Sequence, residues 1–165
     1  MPEQTYTPLY SELLEKCSKL KTKKQKVKFL QENNTDSFRM VIKSSFDPKI
    51  EWLLPEGPVP YTPNDAPEGT EHTDLAWEAR KLYNFVKGGN GALSQNKREA
   101  MFVQMLEGLH PSEAELLVAA KDKSLHRAYK GLSANVVKEA FFWNDEYMLV
   151  EHETYDQRPG SASGI

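Results

Sequence analysis

Apolar residues recur three or four positions apart along most of the chain, with polar residues between them. In the first such segment, Leu9, Leu13, Leu14 and Cys17 fall on one side of a helical projection. The same spacing returns in six further segments: 27–30, 38–42, 75–86, 101–106, 116–120 and 132–137. The alternation that is typical of a half-buried strand is confined to a few residues near 147–150. The pattern therefore predicts an all-α protein built of short helices.

Residues that favour helix ends separate these segments. Thr7 and Pro8 have the order of a cap followed by a first-turn proline, and Pro111 is placed in the same way. Thr22 followed by Gln25 is a capping box. The other predicted caps are Thr35, Ser94 and Ser133, and the predicted helix stops are Gly88, Gly89, Gly108 and Gly131.

One long segment interrupts the helical pattern. The stretch LLPEGPVPYTPNDAPEGTEH at 53–72 contains five prolines, so neither a helix interior nor a central strand can pass through it. It also carries more apolar area than a disordered linker usually does, including Val59 and Tyr61. We expect a strap that lies on the protein's own surface. Its two PxxP spacings leave open a second interpretation, a ligand for a partner's aromatic groove.

These observations predict a single helical domain at 1–156. Within it we expect N-terminal helices at 8–46, the proline-rich strap at 47–72 and C-terminal helices at 73–156. The last segment, 157–165, is polar and rich in glycine and serine, which predicts a flexible tail.

Charge is distributed unevenly along the chain although the net charge is only −3. The segment from Lys19 to Lys43 contains eight basic and two acidic residues, whereas the segment from Asp47 to Glu78 contains eight acidic residues and one lysine. Six acidic residues between Glu139 and Asp156 meet no lysine or arginine. Such separation of charge can steer partners even when the total is near zero.

Composition and chemistry exclude several classes of protein. No apolar run is long enough for a membrane span, and no secretory signal is present. Cys17 is the single cysteine, which predicts a reducing compartment. The four histidines (His72, His110, His126 and His152) lack metal-ligand spacing, and the GGNGAL stretch lacks the context of a phosphate loop. We therefore predict a non-enzymatic protein with no cofactor, no metal site and no catalytic residues.

Residues 109–141, LHPSEAELLVAAKDKSLHRAYKGLSANVVKEAF, resemble the helix-turn-helix of response-regulator type DNA-binding proteins. In that arrangement Ser133, Asn135 and Lys138 would enter the groove. The phosphate contacts would come from Lys121, Lys123, Arg127 and Lys130. The middle element is short, and the last helix runs into an apolar FFW sequence followed by acidic residues, which weakens this hypothesis. The lysine run KLKTKKQKVK at 19–28 is read as a solvated face, with an acidic partner or nucleic acid as the alternative.

Large aromatic residues near the C-terminus suit an interface core with a charged rim. The predicted partner-binding residues are Phe141, Phe142, Trp143 and Tyr147, together with Trp52 and Tyr61 of the strap region. The same side chains could instead complete the core of the monomer. Sequence alone leaves both interpretations open.

Two blocks of the chain carry a family resemblance: LLPEGPVPYTPNDAPEGTEHTDLAWEARKLYNFV and MLEGLHPSEAELLVAAKDKSLHRAYKGLSANVVKEAF. They resemble uncharacterised small proteins encoded by large contractile-tailed (myovirus) bacteriophages, over the range from Tyr10 to Phe142. The resemblance implies a phage product that acts in the cytoplasm of the bacterial host or within the virion. The leading expectation is a protein-interaction module that docks on phage or host machinery. A DNA-binding factor and a structural virion component are the alternatives.

Overall fold

Helices make up nearly all of the regular structure in the computed structural model, which describes residues 7–67 and 71–150. Within those residues there are eight α-helices, one 3₁₀ helix and no strand, which confirms the predicted all-α class. The α-helices are α1 (Tyr10–Lys19), α2 (Lys23–Glu32), α3 (Asp36–Phe46), α4 (Leu75–Glu78), α5 (Gln95–Gly108), α6 (Pro111–Lys121), α7 (Leu125–Ala128) and α8 (Ala134–Ala140). The 3₁₀ helix, Ala79–Phe85, continues directly from α4. The tail predicted at 157–165 lies outside the described residues.

Most of the predicted helix starts are confirmed. Thr22 accepts a hydrogen bond from the backbone N–H of Gln25 at 3.1 Å, and the Gln25 side chain accepts the Thr22 N–H in return at 3.2 Å. The side chains of Thr35, Ser94 and Ser133 each accept the N–H three residues onward. Pro111 occupies the first position of α6. These caps are local, so they can be recognised in the sequence.

Two boundaries differ from the prediction. Helix α1 begins at Tyr10 and is preceded by Leu9 as its cap, so Thr7 and Pro8 lie before it. The helix predicted over 75–86 divides after Glu78 into α4 and the 3₁₀ helix. At the start of α1, Glu12 accepts the Leu9 N–H at 2.7 Å and Glu113 of α6 accepts the Tyr10 N–H at 2.8 Å, and the second of these contacts has no local sequence pattern.

Helices from both ends of the chain contribute to one hydrophobic core. Helix α2 packs on α8, α3 packs on α6 and on the 3₁₀ helix, and α1 packs on α2 and α6. The largest fully buried side chains come from all parts of the described chain: Leu14, Leu30, Phe38, Ile42, Phe85, Phe102, Leu117 and Phe141. Among the residues that the structure describes, no helix has the length and apolar character of a membrane span.

A buried glutamate joins three helix N-termini. Glu113 lies in the first turn of α6 and is almost completely buried. Its two carboxylate oxygens accept the backbone N–H groups of Tyr10 and Leu75, each at 2.8 Å. These are the first residues of α1 and α4, whose N–H groups have no partner within their own helices. Burial raises the pKa of Glu113, and the two backbone hydrogen bonds oppose that shift.

A buried lysine at the other end of α6 anchors the strap. The Lys121 side chain is 1% exposed, and its ammonium donates to the carbonyl oxygens of Pro55 at 2.7 Å and Gly57 at 3.1 Å. It also pairs with Asp122 at 2.6 Å, and Asp122 in turn accepts the Gly57 N–H at 3.1 Å. Helix α5 anchors a later part of the strap, because its Glu107 side chain accepts the Thr62 N–H at 2.8 Å.

Replacing Glu113 tests the junction of helix N-termini. Glu113→Ala leaves two buried N–H groups without acceptors, so we expect the free energy of unfolding to fall by about 3 kcal/mol. Glu113→Gln retains one acceptor oxygen and should lose roughly half as much. Urea unfolding followed by circular dichroism measures both variants. Equal stability of Glu113→Ala and the wild type would contradict the assigned role.

The raised pKa of Glu113 predicts how the stability of the protein depends on pH. A carboxyl group whose pKa is higher in the folded state than in the unfolded state binds protons preferentially in the folded state. The contribution of Glu113 to stability is complete at pH values below its ordinary pKa of 4.5. It decreases as the pH rises through the raised pKa of the folded state. The stability of the wild type relative to Glu113→Gln should therefore decrease over that interval and be constant above it.

Replacing Lys121 tests the anchor of the strap. Lys121→Met leaves two buried carbonyl oxygens and part of a carboxylate without their donor, so we expect a loss of about 2–3 kcal/mol. Hydrogen exchange should become faster at Gly57, whose acceptor Asp122 loses its cation. Lys130→Met is the matched control because Lys130 is exposed, and its effect should stay within about 0.5 kcal/mol. The same exchange rate at Gly57 in wild type and Lys121→Met would contradict the anchor.

Candidate functional site

Four of the six predicted partner-binding aromatics are buried in the monomer. Phe141, Trp143 and Tyr147 form a stack with ring centroids 5.0 and 5.8 Å apart. Trp52 packs edge-on against Phe102 and donates its indole N–H to the Ser44 carbonyl oxygen at 2.9 Å. These four side chains belong to the core, which is the second of the two interpretations that the sequence allowed, and Phe141, Trp143 and Tyr147 also line a groove on the surface.

The other two predicted aromatics have different positions. Tyr61 is partly buried, and it packs against the core from the strap. Phe142 is 50% exposed although both of its neighbours in sequence are buried. It is the one residue of the predicted set whose side chain extends into solvent at an open groove.

The groove lies between α3 and the C-terminal turn at 141–149 and has a volume of about 850 Å³. Four exposed apolar side chains line it: Met40 (44% exposed), Phe142 (50%), Met148 (55%) and Leu149 (62%). Its polar residues are Asn34, Asp36, Arg39 and Lys43, all from α3 or the turn before it. We call this feature the C-terminal groove. The aromatic cluster marks this segment in the sequence, whereas nothing in the sequence distinguishes Met40, Met148 and Leu149 from other apolar residues.

The end of α8 explains why Phe142 points outward. Phe142 has a left-handed backbone with φ of 59°. The Trp143 N–H donates to the Lys138 carbonyl at 2.9 Å, and the Phe142 N–H donates to Glu139 at 3.5 Å, which together form a Schellman motif. This position usually holds glycine, because a side chain there strains the backbone. An aromatic residue is therefore held on the surface at a cost in stability.

A tight turn after α8 determines the orientation of the side chains that follow Phe142. Asn144 accepts the backbone N–H groups of Glu146 at 2.8 Å and Met148 at 3.1 Å through its side chain. Trp143 and Leu149 then form a single antiparallel bridge. Tyr147, also left-handed with φ of 59°, turns inward onto Trp143. Met148 and Leu149 are left on the solvent side, beside Phe142.

Charged groups surround the apolar centre of the groove. Arg39 is bound to the side chains of Asp36 and Asn34, so its guanidinium is held at the rim. The Lys43 ammonium lies 5.7 Å from the centre of the Trp143 ring, a cation–π contact. An apolar centre inside a polar rim is the usual anatomy of a protein interface.

The residues predicted to contact DNA do not form one surface. Lys121 is buried under the strap, and Lys123 donates to the Asp47 carbonyl at 2.7 Å. Lys138 is paired with Asp145 at 3.0 Å. The predicted helix-turn-helix is therefore corrected: α7 has only four residues, and the inner face of α8 packs on α2.

The other four predicted DNA contacts are exposed. Ser133 is exposed as the cap of α8, and Asn135 is exposed on that helix. Arg127 and Lys130 are exposed in and after α7.

The described residues offer no assembled metal centre. No group of three or more histidine, cysteine, aspartate or glutamate side chains within 7–67 and 71–150 is arranged to hold a metal ion. Cys17 is fully buried, and burial raises the pKa of its thiol to about 11. The thiol is therefore protonated at neutral pH and is a poor nucleophile. His152 lies outside the described residues.

Two substitutions of Phe142 measure how much its left-handed backbone reduces stability. Because glycine tolerates the left-handed backbone, Phe142→Gly should be more stable than Phe142→Ala by about 1 kcal/mol. Thermal unfolding of the two variants under the same conditions measures the difference. An equal or lower stability of the glycine variant would contradict the strained conformation.

Comparison with known proteins gives one match. A family model described as a family of unknown function (DUF6433) matches residues 13–127, well over half of the chain. No curated protein and no solved structure matches the chain. The matched residues include the α3 wall of the C-terminal groove and end before α8. The chain therefore belongs to the DUF6433 family, whose function is unknown.

Proposed function

We propose that this chain is a non-enzymatic protein-interaction module that docks on another protein through the C-terminal groove. The observation that carries the proposal is the gathering of Met40, Phe142, Met148 and Leu149 in one groove. Contiguous exposed apolar surface with a polar rim marks a binding site more often than scattered apolar residues do. Large exposed apolar residues elsewhere in the described chain are limited to Trp77 and Tyr83.

The strained backbone at Phe142 supports the same proposal. A left-handed aromatic residue reduces stability, and such positions concentrate at functional sites, where the strain serves a purpose. Here the strained residue is also the aromatic anchor of the groove. Aromatic anchors at the centre of an interface contribute more binding energy than the residues around them.

The shape and chemistry of the groove fit an amphipathic helix. One wall of the groove is a helix, α3, and the other is the turn at 141–149. The two methionines can adapt to the side chains of a helix that lies between those walls. Arg39 and Lys43 favour acidic residues along the edge of the partner helix.

The context of the partner rests on the resemblance of two sequence blocks to proteins of contractile-tailed bacteriophages. We place the chain in the bacterial host cytoplasm during infection, or in the virion, and expect its partner to be a phage or host protein. The partner helix would come from that protein.

A pair of matched surface variants tests the docking site. Met148→Asp with Leu149→Asp places two charges in the groove. Trp77→Asp with Tyr83→Asp places two charges at similarly exposed apolar residues outside it. From infected cells, the wild type and the second variant should capture the same stoichiometric protein. The groove variant should bind that protein about 30-fold more weakly or worse.

Nuclear magnetic resonance of the methionine methyl groups then locates the contact. Addition of the captured protein should shift the Met40 and Met148 signals, which belong to the groove, and leave Met105, which is buried in the core, unchanged. Undiminished capture by the groove variant, or unshifted Met40 and Met148 signals, would overturn the proposal.

A further inference from the structure

Basic residues from two stretches that are far apart in sequence meet in the fold. Lys16 and Lys19 of α1 line a cavity of about 500 Å³ whose other side includes Ala128 and Tyr129 at the end of α7. The ammonium group of Lys26, in α2, lies against Gly131. Arg127, within α7, and Lys130, in the connection that follows it, are exposed. We call Lys16, Lys19, Lys26, Arg127 and Lys130 the basic face.

The connection after α7 is held in place by its glycine. Gly131 has φ of +90°, which other residues rarely adopt. A Cβ at this position would lie 2.5 Å from the Lys26 Nζ and 3.7 Å from the Ser18 carbonyl oxygen. The backbone at Gly131 therefore lies close to both α1 and α2. This packing keeps Lys130 beside the lysines of the first two helices.

Ion pairing neutralises only part of this surface. Lys19 pairs with Glu15 at 3.3 Å, and Lys23 pairs with Glu139 of α8 at 3.0 Å, both at exposed side chains. In the part of the chain that the structure describes, Lys16, Lys26, Arg127 and Lys130 form no ion pair. Nine cations lie in 16–28 and 127–130, namely Lys16, Lys19, Lys21, Lys23, Lys24, Lys26, Lys28, Arg127 and Lys130.

The surrounding carboxylates are fewer than these cations. They are Glu12, Glu15 and Glu115, which line the cavity, Glu113, whose charge acts on Tyr129 of the same cavity, and Glu32 and Glu139, which pair with lysines of α2. Nine cations and six carboxylates leave a local charge of +3 on a chain whose net charge is −3. The field of this region is therefore opposite in sign to that of the rest of the molecule.

The residues between the cations indicate which polyanion fits. The exposed neighbours are small or polar: Thr22, Gln25, Ala128, Gly131, Ser133 and Asn135. The large exposed apolar residues of the described chain all lie outside this face. A protein interface needs an apolar centre, and single-stranded nucleic acid needs exposed aromatic rings for stacking. Phosphates of a duplex need only cations and small hydrogen-bonding groups.

We propose that the basic face binds the sugar-phosphate backbone of duplex nucleic acid without regard to sequence. The contact uses Arg127 and Lys130 from the stretch singled out in the sequence. The other cations come from α1 and α2 rather than from Lys121, Lys123 and Lys138. This surface is separate from the C-terminal groove, so either activity can be present without the other.

Fluorescence anisotropy with a labelled DNA duplex of arbitrary sequence tests the proposal. With about five cations on phosphates, the logarithm of the association constant should fall with the logarithm of salt concentration with a slope of about −4 to −5. The variant Lys16→Glu, Arg127→Glu, Lys130→Glu should bind at least about tenfold more weakly at low salt, because three contacts become repulsive. Two unrelated duplex sequences should bind equally.

A matched control removes the effect of total charge. Arg80→Glu, Lys87→Glu, Lys97→Glu changes the net charge by the same amount at exposed residues outside the basic face, and it should retain most of the wild-type affinity. Near-ultraviolet circular dichroism confirms that both variants are folded. Equal losses in the two variants, or a salt-independent affinity, would overturn the proposal. So would polyglutamate binding as tight as that of the duplex, which would indicate an acidic protein as partner instead.

Discussion

The carboxylate of Glu113 is the contact on which the arrangement of helices depends most directly. It lies where three helices begin and accepts one N–H group from each of two of them, 103 and 38 residues away in sequence. The N-terminal ends of three helices meet around one buried carboxyl group. Lys121 lies at the opposite end of α6, where the helix dipole is negative, and it holds the strap. Helix α6 thus carries a buried acid at its N-terminus and a buried base at its C-terminus, each favourable to its own dipole and each binding a distant segment.

The two proposed surfaces are joined by one short helix. Helix α8 begins beside the basic face, directly after its cap Ser133, and ends at Ala140, two residues before Phe142 of the C-terminal groove. Its seven residues span about 10 Å. Because its inner face packs on α2, α8 holds both the connection at Gly131 and the strained turn at Phe142 in fixed positions. An unusual backbone conformation at each end of one helix therefore positions the exposed groups on both sides of it.

Local signals in the chain were sufficient for the class of fold and for much of its outline. Caps such as Thr22, Thr35, Ser94 and Ser133 act on N–H groups three residues away, so their effect is independent of the rest of the molecule. The helical spacing of apolar residues likewise identified core positions in every long helix, for example Leu14, Phe38 and Leu117. The aromatic segment after α8 was also found in advance, although its side chains divide between the core and the surface.

Residue types do not reveal which of these side chains are buried and which are exposed. Phe141 and Phe142 are identical neighbours, and only the first is buried, because the left-handed backbone at the second turns its side chain toward solvent. Lys121 and Lys130 look equivalent in sequence, but one is buried by a strap that lies 64 to 66 residues away and the other is exposed. Periodicity and capping depend on neighbours within a turn of helix, so the amino-acid order alone settles them. Burial and the grouping of charge depend on which distant segments pack together, and only the folded chain determines that.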